Sequence, residues 1–105
     1  MVSKYVASIQ INTQVGGHLG EITIQFDDGR LGGVGVSEPT LVLAPFVRGG
    51  GGVVPLGVNI GSDPAQSGIL DWVCVSASDR VASQQGYNGI TLGSLPPEFS
   101  PASCR

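Results

Sequence analysis

Asp71 and Trp72 stand side by side near the head of the strongest strand pattern of the chain, in Ser67-Gly68-Ile69-Leu70-Asp71-Trp72. That combination suits a polyhydroxylated ring: a carboxylate accepts hydroxyl hydrogen bonds, an indole face covers the C–H side, and a Gly-rich backbone supplies N–H donors. Gly49-Gly50-Gly51-Gly52 offers a second loop of this kind. The candidate ligand-binding set is therefore Gly49, Gly50, Gly51, Gly52, Gly68, Ile69, Leu70, Asp71 and Trp72. The competing reading makes Trp72 a core residue and Asp71 a solvated strand end.

Other chemistries find less support. His18 is the single histidine and lies in a Gly-rich turn. A triad would need one serine singled out beside it, and no Gly-x-Ser-x-Gly elbow does so. Cys74, Cys104 and His18 lack the closely spaced pairs of a zinc site. Glu21, Asp27 and Asp28 lack the spacing of a calcium loop, and no Lys-Ser or Lys-Thr follows the four glycines to make a phosphate loop. No catalytic residue, metal or cofactor is expected, and the protein reads as a non-enzyme. In an oxidising compartment Cys74 and Cys104 close a disulfide that pins the C-terminal segment to the sheet; in a reducing one Cys74 is a small core residue.

The elements that must position these residues are strands. Tyr5, Ala7, Ile9 and Ile11 alternate with Val6, Ser8, Gln10 and Asn12, and Ile22, Ile24 and Phe26 alternate with Thr23 and Gln25. A period of two sets one apolar row against a core, and the glycines between the runs suit a hairpin turn. Asp27-Asp28-Gly29-Arg30 reads as a tight turn with a return from Leu31. Leu41 to Val47 and Val53 to Ile60 each carry a proline and read as edge, bulged or interrupted strands. Ile69 to Ser76 is apolar on both faces, which predicts cover on both. Tyr87 to Leu92 reads as a last short strand, and Ser78 to Gln85 supports a single helical turn at most.

At 105 residues the chain fits one core. The fold class is all-β, a single small Greek-key sandwich or β-prism-like domain with little or no helix, divided into a β-rich domain at 1–92 and a Pro-rich extended tail at 93–105. Charged residues are 12% of the chain, about half the usual roughly 25%. A surface so poor in charge is weakly defended against self-association, which points to a partner, including another copy. The net charge is -3 and the five Lys and Arg are scattered, so no basic stripe awaits a nucleic acid. No apolar run approaches the roughly 20 residues of a spanning helix, so no membrane contact is expected. The compartment is left open.

Two segments carry a family resemblance. Gly20-Glu21-Ile22-Thr23-Ile24-Gln25-Phe26-Asp27-Asp28-Gly29-Arg30 and Ser67-Gly68-Ile69-Leu70-Asp71-Trp72-Val73-Cys74-Val75 resemble the strand and Gly-turn segments of jacalin-related lectins. The resemblance implies a β-prism, metal-independent sugar binding, and Asp71 with the Gly68 loop as sugar-holding residues. The function expected on these grounds is a non-catalytic carbohydrate-binding module. The alternative is a self-assembling structural subunit of an oligomer, filament or shell. Within the tail, Leu95 and Phe99 are spaced as anchors on an extended segment, and burying Phe99 would stabilise the protein by roughly 1.5–3 kcal/mol.

Overall fold

The computed structural model describes residues 5–27, 33, 35–50 and 52–105. Met1 to Lys4, Asp28 to Arg30, the return from Leu31 and Gly51 lie outside the described residues. Five strands are formed: β1 (Val6–Ile11), β2 (Ile22–Phe26), β3 (Thr40–Gly49), β4 (Gly52–Pro55) and β5 (Gly68–Val75). Among the described residues two five-residue helices join them, α1 (Leu56–Ile60) and α2 (Arg80–Gln84), with 3₁₀ turns at Pro97–Phe99 and Ala102–Cys104.

The protein is thus mostly antiparallel sheet with few helices. The five strands make one sheet, with β1 on β2, β2 on β3, and β3 shared along one edge by β2 and β4 and along the other by β5. Among the described residues no second sheet faces it, so neither a Greek-key sandwich nor a prism is formed.

The expectation for Leu41 to Val47 is corrected: β3 is the central strand, although Pro45 sits within it. On that side β2 pairs as far as Leu43 and β4 begins at Phe46, so Pro45 occupies the break between partners, where no ladder bond is required. Gly20 lies against the proline ring there, where a β-carbon would come within 2.9 Å of it. Val53 to Ile60 is also corrected, since the strand stops at Pro55 and the chain turns into α1. Proline fixes φ and stands well immediately before a helix, where its missing N–H goes unused.

The registers sort the side chains into two faces. Val42, Ala44 and Phe46 of β3 share one face with Val73 and Val75 of β5. They form the main core with Ala82 of α2 and Ile90, and Tyr87 packs against them. Residues 87–92 therefore cover the sheet without joining it as a strand. The other face carries Ile9, Ile11, Ile22, Ile24, Leu41, Leu43, Val47, Val54, Leu70, Trp72 and Cys74. One end of it is closed by Leu95 and Cys104, which pack on Leu41 with Phe26 and Cys74. Away from that end the cover is partial: Val47 is buried and Ile22, Ile24, Leu43 and Val54 are half-buried, while Ile9 is 56% exposed, Ile11 61%, Leu70 49% and Trp72 51%. Cover on both faces of the 69–76 run holds for Val73 to Ser76 only, because the tail and α2 reach no further along β5.

The C-terminal segment is bound to the sheet. Leu95 N–H donates to the Thr40 carbonyl, Ala77 N–H to the Leu95 carbonyl, and Ser76 N–H to the Cys104 carbonyl, each within 3.0 Å. Cys74 and Cys104 form a disulfide between positions 30 apart in sequence. Leu95 is buried, whereas Phe99 is 55% exposed and anchors nothing. The 3₁₀ turn at Pro97–Phe99 breaks the extended spacing that would have set both side chains on the same surface.

Candidate functional site at the outer edge of strand β5

The predicted ligand set gathers around the end of β5, though not as one cradle. Gly49 and Gly68 pair directly across β3 and β5. Gly50 is exposed in the turn, Gly52 opens β4, and Gly51 lies outside the described residues. A β-carbon on Gly49 would collide with the Ser67 carbonyl oxygen and one on Gly68 with that of Arg48. These two glycines thus allow close backbone approach between strands. Ile69 and Leu70 are exposed on opposite faces. Asp71 and Trp72 likewise point to opposite faces, because neighbours in a strand always do.

Asp71 faces the covered side and is already engaged. Its Oδ2 pairs with Arg48 Nε at 2.9 Å and accepts the Tyr87 hydroxyl at 2.9 Å. Tyr87 in turn meets Phe46 edge to face, with ring centroids 5.1 Å apart. The hydrogen bond to Asp71 raises the Tyr87 phenol above its ordinary value of 10.0, burial and the carboxylate charge add to this, and Arg48 opposes it. Arg48 and Tyr87 are the site residues that sequence reasoning missed. The one available signal was Arg48 itself, a lone cation at the end of the apolar run 41–47.

A cavity of about 340 Å³ opens at the outer edge of β5. Arg48, Asp71, Trp72 and Tyr87 line it, with Gln85 from the end of α2 and Ser103 from the tail as side walls. The disulfide holds this arrangement in place, since Cys74 also lines the cavity and Cys104 follows Ser103.

His18 lies elsewhere. Its Nδ1 is 2.9 Å from Glu21 Oε2, which also accepts the Thr91 N–H at 3.2 Å. No serine and second acid converge on it in the described contacts, and among the described residues no three His, Cys, Asp or Glu gather to hold a metal. No described helix is long and apolar enough to cross a membrane.

A solved relative is found for this fold. The chain is similar over its whole length to the crystal structure of a type IV pilin of Pseudomonas aeruginosa strain Pa110594, with 35% identity and a TM-score of 0.83. It spans 67% of that pilin's chain. The chain belongs to the type IV pilin family. No protein-family model matches the sequence, and no curated protein does. The resemblance to jacalin-related lectins is thereby overturned. The two segments behind it are strands with Gly-containing turns, a pattern that any small antiparallel sheet produces.

Proposed function

We propose that this chain is a structural subunit of a filament, built to assemble with further copies and not to catalyse a reaction. The observation that carries this is the full-length likeness to a type IV pilin at 35% identity and a TM-score of 0.83. The uncovered sheet face supports it. Ile9, Ile11, Leu70 and Trp72 stand largely exposed on that face, with Ile22, Ile24 and Leu43 half-buried on the strands between them. A surface of that kind on a soluble domain marks a packing interface. With 12% charged residues, little repulsion opposes such packing. The carbohydrate reading receives no such support, because Asp71 is occupied by Arg48 and Tyr87 and Trp72 points to the other face.

The test is to shear surface filaments from cells that make the protein and probe them with an antibody to this chain. The chain is expected in the filaments, and Ile11→Glu, at a side chain that is 61% exposed, is expected to deplete it from them. Absence of the wild-type chain from every filament preparation would overturn the proposal.

A further inference from the structure

Among the described residues the sheet has three strands with a free side, and they differ in how well they are protected. A free edge is a row of unpaired N–H and C=O groups, and proteins blunt it with bulges, proline, charge or brevity. β1 carries a register shift between Val6 and Ser8. β4 has four residues and ends in Pro55. β5 has eight residues in unbroken register with β3, without proline, lysine or arginine. Its single charge, Asp71, is turned inward to Arg48 and Tyr87.

An antiparallel pair uses the N–H and C=O groups of alternate residues and turns the others outward. Among the described residues, no backbone group of 68–75 bonds to anything but β3. Gln85 and Ser103 stand beside the strand as walls of the 340 Å³ cavity and do not bond to it. Among the described residues the Arg48 guanidinium meets Asp71 through Nε, and its side chain is 55% exposed. Its terminal nitrogens keep the paired donors that suit a carboxylate.

We infer that the outer edge of β5 is a binding site for an extended peptide segment of a partner protein, added as a further strand beside residues 69–73, with an acidic side chain entering the cavity to meet Arg48. Backbone pairing supplies affinity in this mode of recognition, and the pocket for an alternate side chain supplies selectivity. The occupant is a separate acidic segment and not a second copy: β1 is bulged, β4 is short, and a second β5 carries as its only acid Asp71, which is turned inward to Arg48 and Tyr87 of its own chain and leaves the cavity without a carboxylate. The inference does not rest on filament assembly.

The test uses the whole 105-residue chain, labelled with nitrogen-15, and the end-blocked heptapeptide Thr-Val-Thr-Glu-Thr-Val-Thr, with versions carrying Gln or Lys in place of Glu. The Glu peptide is expected to shift the amides of residues 69–73 and slow their hydrogen exchange, with the Lys peptide about tenfold weaker. Arg48→Gln should bring the Glu peptide down to the affinity of the Gln peptide. Ser103→Trp, at an exposed position, should weaken all three at least tenfold by filling the cavity. Unmoved β5 amides with all three peptides at millimolar concentration would overturn the site. So would shifts confined to β1 or β4, or β5 signals that change with protein concentration alone, the mark of a second copy on the edge. Equal binding of the Glu and Lys peptides would overturn the acidic preference.

Discussion

Tyr87 donates its hydroxyl hydrogen to Asp71 Oδ2 across 2.9 Å, tying the segment that covers the core to the outermost strand of the sheet. The bond exists only while the phenol is protonated, which gives it a pH dependence of known sign. A group whose folded value is raised contributes stability that is fully present below its unfolded value, near 10, and lost as pH rises through the folded one. Tyr87→Phe should therefore cost about 1.5 kcal/mol between pH 7 and 9. The gap between wild type and variant should shrink above about pH 10. Urea midpoints at pH 7.5 and 10.5 check this; a gap independent of pH would show that the hydroxyl is solvated instead.

The Cys74–Cys104 disulfide holds the tail on Leu41 and Phe26 and spans 30 positions. Loop-closure entropy for that span is worth about 3.5 kcal/mol. Reduction should lower the melting temperature by on the order of 15 °C. Calorimetry with and without a thiol reductant measures it, and a shift of a degree or two would mean that the tail is held by its hydrogen bonds and Leu95 alone.

Much of the sheet was legible because alternation of apolar and polar residues maps directly onto strand faces, as in Ile9-Gln10-Ile11 and Ile22-Thr23-Ile24. What alternation does not carry is what lies over each face. Ile9 and Ile11 have the pattern of core residues and are more than half exposed, since nothing in their spacing records a missing second layer. Pro45 misled for a related reason: the rule against proline in central strands concerns the bonded side of one residue, and the break between β2 and β4 is a tertiary fact. The site was half legible. Asp71 stood out as a charge in an apolar strand, but its partners are 23 and 16 positions away, brought to it by the register of β3 on β5 and by the path of residues 87–92.

Leu95 and Phe99 should behave very differently on truncation. Leu95 is 3% exposed and packs with Leu41 and Cys104, so Leu95→Ala leaves a cavity and should cost about 2–4 kcal/mol. Phe99 is 55% exposed, and Phe99→Ala should fall within about 0.5 kcal/mol of wild type. Chemical denaturation of both variants decides, and equal losses would mean that the Pro97–Phe99 turn packs against the domain in solution.

Gly68 can be tested against Gly61. A β-carbon at Gly68 would lie 2.7 Å from the Arg48 carbonyl carbon and strike its oxygen, and both belong to the backbone of the central strand. Gly68→Ala should thus force β5 away from β3 and cost about 1–3 kcal/mol. Gly61, with φ -79° and nothing nearer than 3.6 Å, should accept alanine with little change or a gain of up to about 1 kcal/mol. If the two variants melt together, the Gly68 end of β5 is not held against Arg48.

Glu21 stands immediately before β2, level with the middle of the central strand. It is 6% exposed, and its Oε2 accepts the Thr91 N–H at 3.2 Å and lies 2.9 Å from His18 Nδ1. The neighbouring elements bring no second cation: β1, β2, α1 and residues 40–47 contain no Lys, Arg or His. Glu21→Ala removes the acceptor and leaves the Thr91 amide without its partner, beside the buried Ile90. The expected loss is about 1–3 kcal/mol, the cost of stranding a half-buried donor. Glu21→Gln keeps a carbonyl oxygen for the Thr91 N–H and loses only the charge toward an exposed imidazole, so it should retain most of the stability. Hydrogen exchange localises the effect. In Glu21→Ala the Thr91 amide should exchange at least tenfold faster than in Glu21→Gln, while β3 amides exchange at rates set by global stability alone. Equal rates at Thr91 in the two variants would show that the carboxylate does not hold the 87–92 segment in place.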